Sequence, residues 1–211
     1  PGSNRANSPA VAETRRSLAL HAAMFNDVTD AQIASMQEPI VWEDDLPKCP
    51  DHVRRLSKVL HRDPIFMQAA QTPAILDALE GILGPNIELI TNKHNHLMVR
   101  PAGSNPVYWH AGEEPWDPVL ITVLIYLEES TLDNGCIRLV PGSHQRPFPW
   151  PRRPGKDFYG SALFGRSVPF PMPAGGVLLF NDCCFHGADT NHTPGSRRSM
   201  TLGYRAHDAH D

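Results

Sequence analysis

Residues 107–116, VYWHAGEEPW, place His110 among aromatic and acidic residues. The position two residues further on, where a carboxylate partner for a metal is expected, holds Gly112. Two more histidines stand out, because His144 follows a Pro-Gly-Ser turn and His186 ends a long apolar run. A lone histidine is more often structural than a metal ligand. The order of all three along the chain, with the residues that follow them, is therefore more informative than any one of them.

A cationic and a hydroxyl side chain open the last apolar segment. Arg197 and Ser199 are two positions apart and share one face of a strand, because strand side chains alternate between faces. A guanidinium and a hydroxyl on one face suit a buried carboxylate, which an arginine binds through two hydrogen bonds.

The segments that must position these residues change character after Gly84-Pro85. Before it, the sequence predicts a helix capped by Asp51 and a second helix that begins at Thr72-Pro73 and ends at Gly84. The predicted apolar sides carry Val53, Leu56, Val59 and Leu60 in the first helix and Ile75, Leu76, Leu79, Ile82 and Leu83 in the second.

After that point, short β-branched and aromatic segments alternate with Gly, Pro and Asn turns, which predicts strands. They are Ile87–Thr91, His96–Arg100, Val119–Leu127, Cys136–Val140, Gly176–Asn181 and Arg198–Tyr204. Asn134-Gly135 between two of them predicts a hairpin. We expect a mainly β (α+β) fold, a jelly roll of roughly eight strands with N-terminal helices packed against it. The sequence predicts a single domain, helical over about residues 11–84 and jelly roll over about 86–205.

The composition favours a cytoplasmic protein that acts on small molecules. The 211 residues are 41% hydrophobic and carry a net charge of −4, which argues against a nucleic-acid polymer as partner. No apolar run is long enough to span a membrane, and the N-terminus lacks the pattern of a signal peptide. The adjacent Cys183 and Cys184 indicate reduced thiols. The oligomeric state stays open.

The ordered residues resemble the phytanoyl-CoA dioxygenase superfamily of iron(II)/2-oxoglutarate oxygenases over about residues 50–205. The set is His110, Asn134-Gly135, Pro141-Gly142-Ser143-His144, His186-Gly187, Asn191 and Arg197-Arg198-Ser199. The resemblance implies a double-stranded β-helix in which His110 and His186 hold Fe(II). It also implies that 2-oxoglutarate chelates the iron, with its distal carboxylate on Arg197 and Ser199, and that O2 is consumed. In this pattern His144 is structural.

The departure from the pattern is Gly112, since hydroxylases of this class use a carboxylate at that position. In an extended strand Glu113 faces the opposite side and Glu114 lies about 6.6 Å further on, so only a bulge at Gly112 brings Glu113 round. Glycine at this position resembles the halogenase branch, in which chloride takes the place of the acid. The alternatives are a hydroxylase, with Glu113 or water at the iron, and a non-catalytic jelly-roll binding protein.

The substrate is indicated by a long loop, Phe148–Ser167, in which Arg152 and Arg153 are interleaved with aromatic residues. Such a loop suits a planar anion, with phosphate on arginine and a base on an aromatic face. The size and loop resemble halogenases that chlorinate purine nucleotides in nucleoside-antibiotic biosynthesis, so we expect a substrate like deoxyadenosine monophosphate. A free or carrier-bound amino acid is the alternative. Lys93 and His96 are further candidates for the substrate and Thr122 for 2-oxoglutarate, although solvation or backbone bonding explains them equally well.

Overall fold

Two antiparallel sheets form the body of the protein in the computed structural model, which describes residues 40–42, 53–91, 94–112, 119–145 and 165–207. Within these residues a seven-stranded sheet runs in the order β1-β2-β4-β11-β6-β9, with β3 also paired to β11. A four-stranded sheet runs β5-β10-β7-β8. This is the mainly β, double-stranded β-helix architecture that the sequence predicted.

The bounds of the described elements follow the chain. The strands are β1 (Ile40–Trp42), β2 (Val53–Ser57), β3 (Ile87–Ile90), β4 (His96–Arg100), β5 (Val107–His110), β6 (Leu120–Tyr126), β7 (Ile137–Leu139), β8 (Val168–Pro169), β9 (Val177–Asn181), β10 (His186–Ala188) and β11 (Arg197–Ala206). A 3-10 helix (Val59–His61) precedes the helices α1 (Pro64–Ala70) and α2 (Pro73–Leu83).

The seven-stranded sheet has one apolar face toward the helices and one mixed face toward the barrel interior. On β11, Met200, Leu202 and Tyr204 pack with the helices in the main core. The intervening Ser199 and Thr201 are buried on the opposite face. Because side chains alternate along a strand, the polar residues of this sheet line the interior together.

The predicted helix at Asp51 is wrong over its first half. Val53–Ser57 is a strand that pairs antiparallel with β4, and only Val59–His61 is helical. Leu56, Val59 and Leu60 do join the helix-side core, but Leu56 reaches it from a strand. Backbone pairing with a distant strand has overridden a local period of apolar residues.

The second helix is confirmed, with Pro73 at its first turn and Gly84 at its end with φ 84°. Ile75 and Leu79 are buried, whereas Ile82 is 56% exposed and lies off the apolar side that we predicted. No described helix is long and apolar enough to cross a bilayer. Cys183 and Cys184 are free thiols, as predicted.

Two strand connections cross between the sheets, and the first of them differs from the prediction. Asn134-Gly135 does not close a hairpin, because β6 pairs with β11 and β9 while β7 pairs with β10 and β8. The run that ends at His186 is two strands, since β9 stops at Asn181 and a tight turn leads into β10. The second crossing sets His186 opposite the other histidine.

Candidate metal and cosubstrate site

His110 and His186 face each other at the rim of the four-stranded sheet. They are direct antiparallel partners in the pairing of β5 with β10. Their ring centroids are 4.1 Å apart, and the rings are tilted by 53°. Phe180 packs edge-on against His186 with the ring centroids 5.0 Å apart. The two candidate ligands are thus brought together from positions 76 apart in the chain by strand register.

Both imidazole rings are oriented in the same way by the backbone. His110 Nδ1 lies 2.8 Å from the carbonyl oxygen of Tyr108, and His186 Nδ1 lies 2.8 Å from that of Cys184. A carbonyl oxygen can only accept, so each Nδ1 carries the proton and donates it. This leaves the Nε2 lone pair of each ring for a metal, the arrangement that fixes histidine ligands in metalloproteins.

The protonation state of His186 also suits metal binding. Burial, and then the neighbouring His110 ring, hold its pKa well below the usual range, against a smaller opposite effect of the hydrogen bond to Cys184. The ring is therefore neutral near pH 7 and its lone pair is available. Two imidazole nitrogens fit iron(II), although no set of three His, Cys, Asp or Glu side chains within the described residues has the spacing to hold a metal.

Gly112 lies beside the histidine pair and against Asp182. The Gly112 N–H donates to the Asp182 carbonyl oxygen over 2.9 Å. A Cβ atom at Gly112 would overlap Asp182 Oδ2 and would lie 3.1 Å from its Cγ. A larger residue here would force the buried carboxylate, which follows the end of β9, to move.

Another part of the interior contains Arg197 and Ser199, the two residues that were predicted to bind a carboxylate. Arg197 is buried, and it donates from Nε to the carbonyl oxygen of Asn134 over 3.2 Å and from Nη2 to that of Gly135 over 2.8 Å. Its guanidinium carbon lies 5.8 Å from the centre of the Tyr126 ring. Ser199 is on the same face, paired across the sheet with Tyr126. The shared face that the sequence predicted is confirmed.

The Arg197 guanidinium is a buried positive charge without a matching acid among the described residues. No carboxylate among the described residues forms an ion pair with Arg197, and burial lowers its pKa from the usual value. The hydroxyl groups of Tyr126 and Ser130 are buried close by, without a hydrogen bond of normal geometry to the described part of the chain. A cation with unsatisfied hydroxyls around it fits the distal carboxylate of 2-oxoglutarate.

The remaining predicted residues divide between described and undescribed segments. Thr122 is on the inner face but donates to Asp182 Oδ1 over 3.0 Å, and its contact with 2-oxoglutarate stays a prediction. His96 faces the interior across from Thr201. Burial, then Arg55 and His94, lower its pKa to about 3. Lys93, Arg152, Arg153, Glu113 and Glu114 lie outside the described residues, as does most of the Phe148–Ser167 loop.

The Pro-Gly-Ser-His turn supports the site. Ser143 Oγ donates to the Val140 carbonyl over 2.6 Å and accepts from the Phe185 N–H over 2.8 Å, which ties the turn to the start of β10. His144 Nδ1 lies 3.5 Å from Cys184 Sγ. The sequence did not predict the placement of Asp182 against Gly112. The adjacency of Asn181 and Asp182 to His186 was the available signal.

Comparison with known proteins finds similarity to phytanoyl-CoA dioxygenases. The sequence model of the phytanoyl-CoA dioxygenase (PhyH) family matches residues 16–199. Phytanoyl-CoA dioxygenase domain-containing protein 1 of Mus musculus is 28% identical over 166 residues, covering 71% of this chain and 56% of the mouse protein. The chain thus spans little more than half the length of that relative.

Solved structures share the fold at low identity. AviO1 from Streptomyces viridochromogenes Tue57 superposes with a TM-score of 0.73 at 18% identity, covering 97% of this chain and 88% of its own. EctD from S. alaskensis, crystallised with 2-oxoglutarate and 5-hydroxyectoine, gives a TM-score of 0.71 at 24% identity, covering 95% and 69%. EctD has also been crystallised with bound Fe.

Proposed function

The chain belongs to the phytanoyl-CoA dioxygenase family of iron(II)/2-oxoglutarate-dependent oxygenases, and we propose that it is a halogenase that places chlorine on an unactivated carbon of a small molecule. The observation that carries the proposal is Gly112. It stands two residues after His110, where hydroxylases have their carboxylate ligand, and both histidines of the pair are present. With glycine there, residue 112 cannot coordinate the metal, and a chloride ion is the replacement ligand.

The proposed function gives the two histidines and the Arg197–Ser199 pair separate roles. His110 and His186 would hold Fe(II) through their Nε2 atoms, and Arg197 with Ser199 would bind the distal carboxylate of 2-oxoglutarate. Bound iron and 2-oxoglutarate together use O2 to remove a hydrogen atom from an unactivated carbon. The backbone carbonyls of Tyr108 and Cys184 keep the rings in their ligating orientation.

We further propose that the substrate is a purine deoxynucleotide such as deoxyadenosine monophosphate. The described residues that support an anionic substrate lie on the inner face of β2 and β4. Arg55 is close enough to His96 to lower its pKa, and Arg55 Nε is buried without a hydrogen-bond partner in the described part of the chain. A substrate phosphate would satisfy that donor. Lys93, Arg152 and Arg153 would add to the positive charge.

The first experiment is an anaerobic titration of the metal-free protein with Fe(II) and 2-oxoglutarate, followed by absorbance with and without chloride. A charge-transfer band that shifts and saturates with chloride supports a halide on the iron. Turnover with deoxyadenosine monophosphate is then compared with that of deoxyadenosine and free amino acids. A chlorinated product only in chloride buffer, and only with the nucleotide, is the expected result. Equal turnover of deoxyadenosine would overturn phosphate recognition.

A hydroxylase of the same family is the second candidate, because the family that the chain matches is one of dioxygenases. If Glu113 or water takes the position at the metal, chloride leaves the absorbance unchanged and the product carries a hydroxyl group in chloride-free buffer. The titration above separates the two candidates before any substrate is known.

A further inference from the structure

Asp182 is a buried acid that belongs to neither sheet and touches both. It follows β9, its N–H donates to the Leu120 carbonyl over 2.9 Å, and its own carbonyl accepts from Gly112 over 2.9 Å. The residue is only 5% exposed, and aspartate is rarely buried unless it is paired. The carboxylate therefore needs specific partners.

One oxygen of the carboxylate has its partners and the other lies against Gly112. Oδ1 accepts from Thr122 Oγ1 over 3.0 Å, and His94 Nε2 lies 3.3 Å from the same oxygen. Oδ2 is the atom that a Cβ at Gly112 would overlap. The carboxylate is thus tethered at one oxygen and presents the other toward the position that residue 112 fills in hydroxylases.

The His94 anchor is held in place at some conformational cost. His94 has φ 48°, a left-handed conformation that non-glycine residues seldom adopt. Its ring and Cβ pack over Gly203, where an added Cβ would lie 3.2 Å from His94 Cβ. His94 thus packs on Gly203 of β11 and contacts the Asp182 carboxylate. Together with Thr122 of β6, it holds Asp182 in place.

We infer that the charge of Asp182 sets how readily a halide enters the space beside Gly112 at the histidine pair. The inference rests on the proposed function, because it assumes a metal between His110 and His186. A carboxylate and a chloride ion repel each other, so both cannot occupy the space beside Gly112 at full charge. Chloride enters only when Oδ2 moves away, and the Thr122 and His94 contacts at Oδ1 give the carboxylate a position to remain in.

The test measures chloride and Fe(II) dissociation constants in the anaerobic 2-oxoglutarate complex, without turnover. Asp182→Asn removes the charge but keeps the size and an oxygen that Thr122 can bond. We expect chloride to bind at least tenfold more tightly, about 1.4 kcal/mol, and Fe(II) to bind more weakly. Asp182→Ser, a second neutral variant, guards against a folding defect in the first. Asp77→Asn makes the same chemical change on the exposed face of α2 and is the matched control.

The outcomes separate this inference from the proposed function. Chloride affinity within about twofold in all four proteins would overturn the role of Asp182 and leave halogenation standing. If no protein binds chloride, halogenation and the role of Asp182 are both wrong. Tighter chloride binding in both neutral variants, but not in Asp77→Asn, supports both.

Discussion

At the Arg197 end of the barrel interior the fold buries a cation that has no ion-pair partner among the described residues, whereas toward the His186 end it buries the Asp182 carboxylate against Gly112. The Arg197 end is held by backbone carbonyls, which orient a guanidinium without neutralising it. The His186 end keeps its own acid, Asp182, tethered to Thr122. The Arg197 end therefore has a positive charge with no acid paired to it among the described residues, and the His186 end has a carboxylate of its own.

The contrast between the two ends shows how one barrel interior can hold groups of opposite charge. Thr122 and Tyr126 mark the two ends on the inner face of β6, and four residues of strand separate them by about 13 Å. Apolar side chains from three strands fill the wall between them, including Leu124, Ile137 and Phe180. Charge beside these apolar side chains is screened less than charge in water.

The largest effect is expected from removing one of the two proposed metal ligands at the His186 end. His186→Ala should lower Fe(II) affinity by at least about 100-fold, because even the loss of a group that only orients a ligand costs 10- to 100-fold. Affinity is measured by anaerobic titration and activity by succinate release. His61→Ala, an exposed histidine of the 3-10 helix, is the control and should leave both unchanged. Unaltered Fe(II) binding in His186→Ala would show that the histidine pair is not the metal site.

Removing the buried cation should affect the other end alone. Arg197→Gln loses a charged, two-point contact worth roughly 1.5–3 kcal/mol per hydrogen bond, so we expect the KM for 2-oxoglutarate to rise at least about tenfold. Fe(II) affinity without 2-oxoglutarate should stay the same. The matched control is Arg198→Gln, since Arg198 pairs with Glu128 instead of the interior groups. A KM that changes equally in both variants would refute the assignment.

The buried ring of His96 predicts how the stability of the protein depends on pH. The pKa of His96 is lowered to about 3 by burial, then by Arg55 and His94, so the folded protein binds its proton far less readily than the unfolded chain does. Stability is therefore full above about pH 6.5 and falls as the pH drops toward 3, by up to about 1.4 kcal/mol per pH unit from this residue. His96→Gln should flatten the slope in urea unfolding of the metal-free protein between pH 7 and pH 5. Equal slopes would contradict the burial of a neutral ring.

The smallest effect is expected at Gly203. An alanine there would place its Cβ 3.2 Å from His94 Cβ, so the ring must shift by a few tenths of an ångström. We expect a loss of about 1 kcal/mol or less in the free energy of unfolding and a change of a few-fold in chloride affinity. Gly195→Ala, where an added Cβ contacts nothing within 4 Å, is the control. No difference between the two variants would mean that the His94 position does not matter to the site.

Local patterns predicted much of this molecule because they depend only on neighbouring residues. The helix from Pro73 to Leu83 follows from its proline start and glycine stop, and the shared face of Arg197 and Ser199 follows from strand alternation. The strand at Val53–Ser57 could not be predicted in this way, since its apolar spacing fits a helix and only pairing with β4 decides otherwise.

By itself, the sequence determined which side chains are present for chemistry and in what order: the two histidines, the glycine at 112 and the arginine that follows them. Only the tertiary structure decided that Asp182 fills the space beside Gly112. These residues are 70 positions apart, and they meet because β9 ends at Asn181 and the chain then crosses between the sheets. That juxtaposition depends on strand register across two sheets, which no local pattern of residues encodes.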